Sequence, residues 1–267
     1  MREIFIRAVS GAFYVLLLLA AILFSEISFL LLFLIFGIIC LQELQRLLNL
    51  KSFLPYIVLF FLILLFGYFK IAPSIVFGLL GLTVVVNLLL IVDLLSKEEI
   101  TWIQKSKTFL ALFYMIASFL FLTLTPHYSG IFQPEILIGI FVLIWTNDTF
   151  AYLIGKSFGR HKLFKRISPN KTVEGFLGGI AFSFFIGYLI FIFTDELALT
   201  TWFGLALIIS VFGTFGDLVQ SRLKRQAAVK DSGTLMPGHG GLFDRLDSIL
   251  FASAFVYGFL LLTYYVS

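Results

Sequence analysis

Apolar runs of membrane-spanning length recur along this chain, at roughly 8–25, 27–45, 54–70, 72–95, 108–126, 131–155, 173–194, 200–221 and 246–266. Crossing about 30 Å of hydrocarbon takes about 20 mainly apolar residues in a helix. In lipid, backbone polar groups must pair internally, so spanning segments are helices or closed barrels. The alternation of a barrel strand is missing, which leaves helices. Composition agrees: of 267 residues, 60% are hydrophobic and only 13% charged, against about a quarter charged in soluble domains. The expected fold is an all-α, polytopic integral membrane protein with about nine transmembrane helices. The first run follows Arg2 and Arg7 without a convincing small-residue cleavage site, so it reads as a retained span.

Basic residues set the orientation, because loops facing the cytoplasm are enriched in Lys and Arg. With the N-terminus inside and nine crossings, 18 of the 19 basic residues fall on one side and only Lys70 on the other. Two cytoplasmic loops dominate, Lys156–Thr172 and Arg222–Arg245, both basic and both adjoining acids at span ends. The chain divides into N-terminal helices, 1–130, forming a scaffold with dimer contacts, and C-terminal helices and loops, 131–267, carrying the chemistry. There is no obvious internal repeat of the kind that builds inverted-repeat transporters. The lone Cys40 lies in an apolar run and reads as a small core residue.

Ionisable groups inside apolar spans are expensive and mark sites or pathways. Asp148 and Asp217 are of this kind. If the eighth span stays helical, Asp217, Ser221 and Lys224 share one face, setting a metal ligand beside a phosphate ligand. The turn Met236-Pro237-Gly238-His239-Gly240-Gly241 leads into Asp244-Arg245-Leu246-Asp247. Glycines there let N–H groups approach phosphate oxygens, and the last helix adds its positive N-terminus. Asp244 and Asp247 lie on one helical face and suit a Mg²⁺ that substrate phosphates also bind. Upstream, Lys165, Arg166 and Lys171 could hold a triphosphate, and Lys171 and Glu174 share a face where the seventh span starts. Ser168-Pro169 reads as a turn and Thr172 as a helix N-cap. Glu43 and Asp93 read as interface or packing groups. His127, His161, Glu135, Asp195 and Glu196 fall outside the pattern, and no P-loop, CxxC or GxSxG motif occurs.

These residues resemble the phosphatidate cytidylyltransferase family, also called CDP-diacylglycerol synthase. Its signature, S-x-x-K-R-x(4)-K-D-x(5)-P-G-H-G-G-x-x-D-R-x-D, is matched by Ser221, Lys224, Arg225, Lys230, Asp231, Pro237, Gly238, His239, Gly240, Gly241, Asp244, Arg245 and Asp247. The likeness is strong over roughly 145–250 and generic before that. It implies transfer of CMP from CTP to phosphatidic acid, giving CDP-diacylglycerol and pyrophosphate in phospholipid biosynthesis. It further implies Mg²⁺ dependence with Asp217, Asp244 and Asp247 at the metal, and leaves open whether a monovalent cation joins. The catalytic set it implies is Asp217, Lys224, Arg225, Lys230, Asp231, His239, Asp244, Arg245 and Asp247. Substrate is expected at Asp148, Lys165, Lys171, Glu174, Ser221, Gly240 and Gly241. A homodimer in the cell (inner) membrane, its site facing the cytoplasm and no nucleic acid as partner, completes the expectation. An ion-coupled transporter using Asp148 and Asp217 is disfavoured by outer loops that are short and almost free of charge.

Overall fold

A computed structural model of the chain describes residues 2–70, 73–96, 106–238 and 240–266. Its helices are α1 (Arg2–Phe24), α2 (Glu26–Leu48), α3 (Leu54–Tyr68), α4 (Pro73–Leu95), α5 (Lys107–His127), α6 (Pro134–Phe158), α7 (Val173–Phe193), α8 (Leu199–Gln226) and α9 (Phe243–Val266). All but α3 are long and apolar enough to cross a membrane; α3 is a shorter apolar helix. The chain is thus a multi-pass helical membrane protein. α3 and α5 each contain a six-residue π-helical stretch, Ile63–Tyr68 and Ala111–Ile116.

Local chemistry places the helix ends. Ser25 caps α2 in a reciprocal capping box with Ser28, and Asn49 closes it in the left-handed region. Thr172 caps α7 as expected, its hydroxyl accepting from the Gly175 N–H at 3.1 Å. α8 runs five residues past its expected end, so Arg222, Lys224 and Arg225 ride on a helix and not in a loop. Leu, Lys, Arg and Gln are strong helix formers; Arg225 is exposed, while Arg222 and Lys224 turn to carboxylates of the protein.

The loop after α6 contains an antiparallel pair, β1 (Lys162–Phe164) and β2 (Ser168–Thr172), with Lys162 opposite Thr172 and Phe164 opposite Ser168. The turn lies at Lys165-Arg166-Ile167, one step before the expected Ser168-Pro169. Pro169, which lacks an N–H, sits in an edge strand where it is tolerated. Arg166 donates to the carbonyls of Leu94 (3.2 Å) and Ser96, and Arg222 to the Asp93 carbonyl and carboxylate (Oδ2, 3.0 Å). Two guanidinium groups therefore hold the C-terminal end of α4, where helix carbonyls lack partners. Asp93, expected as an interface or packing group, is a buried ion-pair partner.

Small residues bring the later helices close, as is usual where lipid leaves little hydrophobic drive between helices. A Cβ at Gly175 of α7 would lie 2.5 Å from the Ala151 carbonyl of α6, and one at Gly216 of α8 would lie 2.6 Å from the Asp247 carbonyl of α9. Stacked rings, Phe150 on Phe182 and Phe212 on Phe255, close the same two contacts at 3.6 Å between centroids. Gly216 thus sets α8 against α9 beside Asp217 and Asp247, which line one cavity. Gly216→Val should cost about 3 kcal/mol or more, since backbone and not a flexible tip occupies the space. A lowered thermal midpoint in detergent, together with lost activity, is the expected result. Cys40 is fully buried in the core.

Candidate active site

The C-terminal ends of α6 and α8 and the N-terminal ends of α7 and α9, with the β1–β2 hairpin, enclose a cavity of about 690 Å³. Asp148 and Tyr152 come from α6, Lys162 and Lys171 from the hairpin, Phe176 from α7. Thr214 and Asp217 come from α8, and Asp244, Asp247 and Ser248 from α9. Four carboxylates and several lysines on one wall set make this a polar, charged cavity cut into a bundle of apolar helices. Groups so placed at membrane depth are the mark of function.

Two of its carboxylates are held by lysines. Lys171 Nζ lies 2.5 Å from Asp217 Oδ2, and Lys224 Nζ lies 2.7 Å from Asp244 Oδ1. The Ser221 hydroxyl sits 3.5 Å from Asp217 Oδ1, so the expected face of Asp217, Ser221 and Lys224 on one helix is present. Asp247 is buried, its Oδ1 accepting from the Ser248 N–H at 2.8 Å.

Asp244 has a second task. Its Oδ2 accepts from the N–H of Ser232 (2.8 Å), the N–H of Gly241 (2.9 Å) and the Ser232 hydroxyl (3.1 Å). The loop 227–242 is folded around this carboxylate. The glycine turn inside the loop is closed by a bridge between Met236 and Gly240, with Gly240 at φ +90°, a conformation that favours glycine. Two of its N–H groups are engaged: Gly240 donates to the Met236 carbonyl and Gly241 to Asp244. Leu242 and Phe243, at the start of α9, donate to Glu43 of α2. The N–H groups of Gly240, Gly241, Leu242 and Phe243 thus serve to shape the loop in this geometry.

The remaining expected residues spread outward. Glu174 accepts from the backbone N–H groups of Arg160 and His161 and contacts His161 Nδ1 at 2.6 Å, tying the hairpin to α7. Lys165 sits on the exposed hairpin turn, and Arg225, Lys230, Asp231 and Arg245 are exposed outside the cavity wall. His239 lies outside the described residues. The sequence pattern passed over Lys162, Thr214 and Ser248, which line the cavity. It also assigned Glu43 to packing, although an acid in an apolar span is the same signal that exposed Asp148 and Asp217.

Mg²⁺ is held through one or two protein carboxylates, with waters and substrate phosphates filling the remaining positions. Among the described residues, no three or more His, Cys, Asp or Glu converge closely enough to hold a metal ion by themselves. The donors present are nonetheless hard carboxylate oxygens, and Asp148, Asp217, Asp244 and Asp247 line one cavity. The residues fit an ion of that kind.

Fold and site together define a polytopic membrane protein with an acid-and-lysine cavity at one end of its helices, the apparatus of a phosphate-handling membrane enzyme. The model of the cytidylyltransferase family matches residues 5–263, and the chain belongs to that family. A phosphatidate cytidylyltransferase of Staphylococcus saprophyticus is 39% identical over 165 residues, 61% of this chain and 62% of that protein. One of Staphylococcus aureus is 40% identical over 159 residues, 59% of each chain. One of Bacillus subtilis is 51% identical over 118 residues, 43% of this chain and 44% of that protein. The match to each of these relatives spans less than two thirds of its length.

Proposed function

We propose that this protein is a CTP:phosphatidate cytidylyltransferase, working in the cell membrane with its cavity open to the cytoplasm. The carrying observation is the cavity itself, which Asp148, Asp217, Asp244 and Asp247 line together with Lys162 and Lys171 at one end of the membrane helices. The names of the relatives and the one-sided distribution of basic residues support the same reading.

In this reaction a phosphate oxygen of phosphatidic acid attacks the α-phosphorus of CTP. The bond from that phosphorus to the bridging oxygen breaks, and pyrophosphate leaves. A phosphate monoester has its second pKa at about 6, so the nucleophile is already largely dianionic at neutral pH. No strong base is needed; the obstacle is the meeting of two polyanions. Positioning and electrostatic stabilisation therefore carry the catalysis. Lys162 and Lys171 line the cavity where phosphates would arrive, and Lys171 bears directly on Asp217. Lys224 holds Asp244 and, through it, the glycine loop. Asp217 and Asp247 would hold Mg²⁺, which supplies charge neutralisation on the nucleotide phosphates. A lipid acceptor explains why the cavity is cut into the membrane helices and not built on a soluble domain.

The test is incorporation of label from α-phosphate-labelled CTP into lipid by the purified protein, with a panel of lipid phosphates. Expected is CDP-diacylglycerol formation from phosphatidic acid, abolished by chelation and restored by Mg²⁺. Incorporation confined to a polyprenyl or ether-lipid acceptor would overturn the substrate assignment. Substrate movement in vesicles without CTP turnover would favour a transporter.

A further inference from the structure

We propose that Glu43, far upstream in α2, is a positioning residue for the candidate catalytic loop and the first turn of α9. Its effect on turnover rests on the cytidylyltransferase reading; its grip on the loop does not.

Glu43 is 3% exposed. Its Oε1 accepts from the Leu242 N–H at 3.0 Å, and its Oε2 from the Phe243 N–H at 2.9 Å and the Ser232 hydroxyl at 2.6 Å. Ser232 stands near the beginning of the loop 227–242, and Leu242 and Phe243 stand at its end. One carboxylate thus pins both limbs. Among the described residues its partners are N–H and O–H donors, with no lysine or arginine in ion-pair contact. A buried carboxylate without a cation is costly unless well hydrogen-bonded. Here two of the donors belong to the start of α9, whose leading N–H groups lack partners within the helix and carry its positive end.

The loop is also shaped to admit this side chain. A Cβ at Gly233 would come 2.5 Å from Glu43 Oε1, and one at Gly241 would come 2.3 Å from Oε2. Gly241 therefore makes room for a carboxylate of α2, a role different from the phosphate approach expected of it. Ser232 links the two acids, since its hydroxyl lies 2.6 Å from Glu43 and 3.1 Å from Asp244. α1 adds a weaker hold on the same turn, the Ser10 hydroxyl donating to the Pro237 carbonyl at 3.1 Å. Phe243 begins α9, Asp244 follows it, and Asp247 lies one turn on. Fixing the Phe243 N–H fixes the height and rotation at which Asp247 enters the cavity that Asp217 also lines.

The test uses the full chain in phosphatidate-containing vesicles, with Glu43→Ala, Glu43→Gln and Ser232→Ala. A reacting group displaced by about 1 Å costs about 100-fold. Glu43→Ala should therefore lower kcat about 100-fold with KM for CTP little changed, and Glu43→Gln, which keeps one acceptor oxygen, should fall between it and the parent. Proteolysis reads loop opening directly, because cleavage follows the population of locally open states. Trypsin should cut at Lys230 faster in Glu43→Ala, while cutting in the hairpin at Lys165 stays at the parent rate. If Glu43→Ala fails to accumulate, Ser232→Ala removes only a hydroxyl and should show the same pattern at smaller amplitude. Unchanged Lys230 cleavage, equal acceleration at both sites, or faster cleavage with parental kcat would each overturn the proposal. Should the parent protein make no CDP-diacylglycerol, the functional reading fails, and the cleavage pattern alone still decides whether Glu43 holds the loop.

Discussion

Asp217→Asn is expected to lower turnover by at least about 1,000-fold while the protein stays folded in detergent. The substitution keeps shape and one oxygen but removes the charge. In the parent, that charge lies 2.5 Å from Lys171 Nζ and 3.5 Å from the Ser221 hydroxyl. Removing one preorganised electrostatic group from a reacting site costs about 100- to 1,000-fold. Asp217 serves two functions at once, as a proposed Mg²⁺ ligand and as the counter-charge of Lys171, so its loss belongs at the upper end or beyond. Excess Mg²⁺ should restore part of the rate if the lost affinity is for the ion. The measurement is label transfer from CTP to lipid under saturating phosphatidic acid, with thermal midpoint and elution profile as controls for folding. Near-parental turnover in a folded variant sinks the assignment of Asp217 to the metal.

Much of this architecture is legible in the residues, for identifiable reasons. Span positions follow from apolar length, because hydrocarbon thickness fixes how many residues a helix needs. Thr172 was readable as a cap because its hydroxyl has an obvious orphan N–H to accept. Asp148 and Asp217 stood out because charge is rare in apolar surroundings. What stayed hidden depends on distant contacts. Helix α8 continues to Gln226 although its apolar stretch ends sooner, and hydropathy is blind to helical backbone beyond the lipid. The small β1–β2 pair forms from a basic, Pro-containing segment that has no strand alternation to announce it. The Glu43 contact joins residues 189 to 200 apart in sequence, and no local spacing can reveal which acid meets which loop. The same holds for Gly233 and Gly241, whose lack of side chain is explained by a carboxylate from another helix.

Asp244→Asn is the companion test, and it should fail in a different way. In Asp217→Asn the cavity keeps its walls and loses a charge; in Asp244→Asn the loop loses its organiser. Oδ2 of Asp244 takes the Ser232 N–H, the Gly241 N–H and the Ser232 hydroxyl, while Oδ1 takes Lys224. An amide in that place presents one oxygen and one donor, so at least one side meets donors with a donor. Leaving such groups unpaired in a partly buried site costs about 1–3 kcal/mol each, enough to detach the turn from the cavity. Turnover should again fall about 1,000-fold, but now with faster tryptic cleavage at Lys230, and excess Mg²⁺ should not rescue it. Lys224→Ala, which removes only the cation from Oδ1, should weaken activity less and leave the Ser232 and Gly241 bonds intact. If instead Asp244→Asn is rescued by Mg²⁺ and its loop resists trypsin like the parent, then Asp244 acts on the ion and not on the loop. The division of labour among the acids argued here would then be wrong.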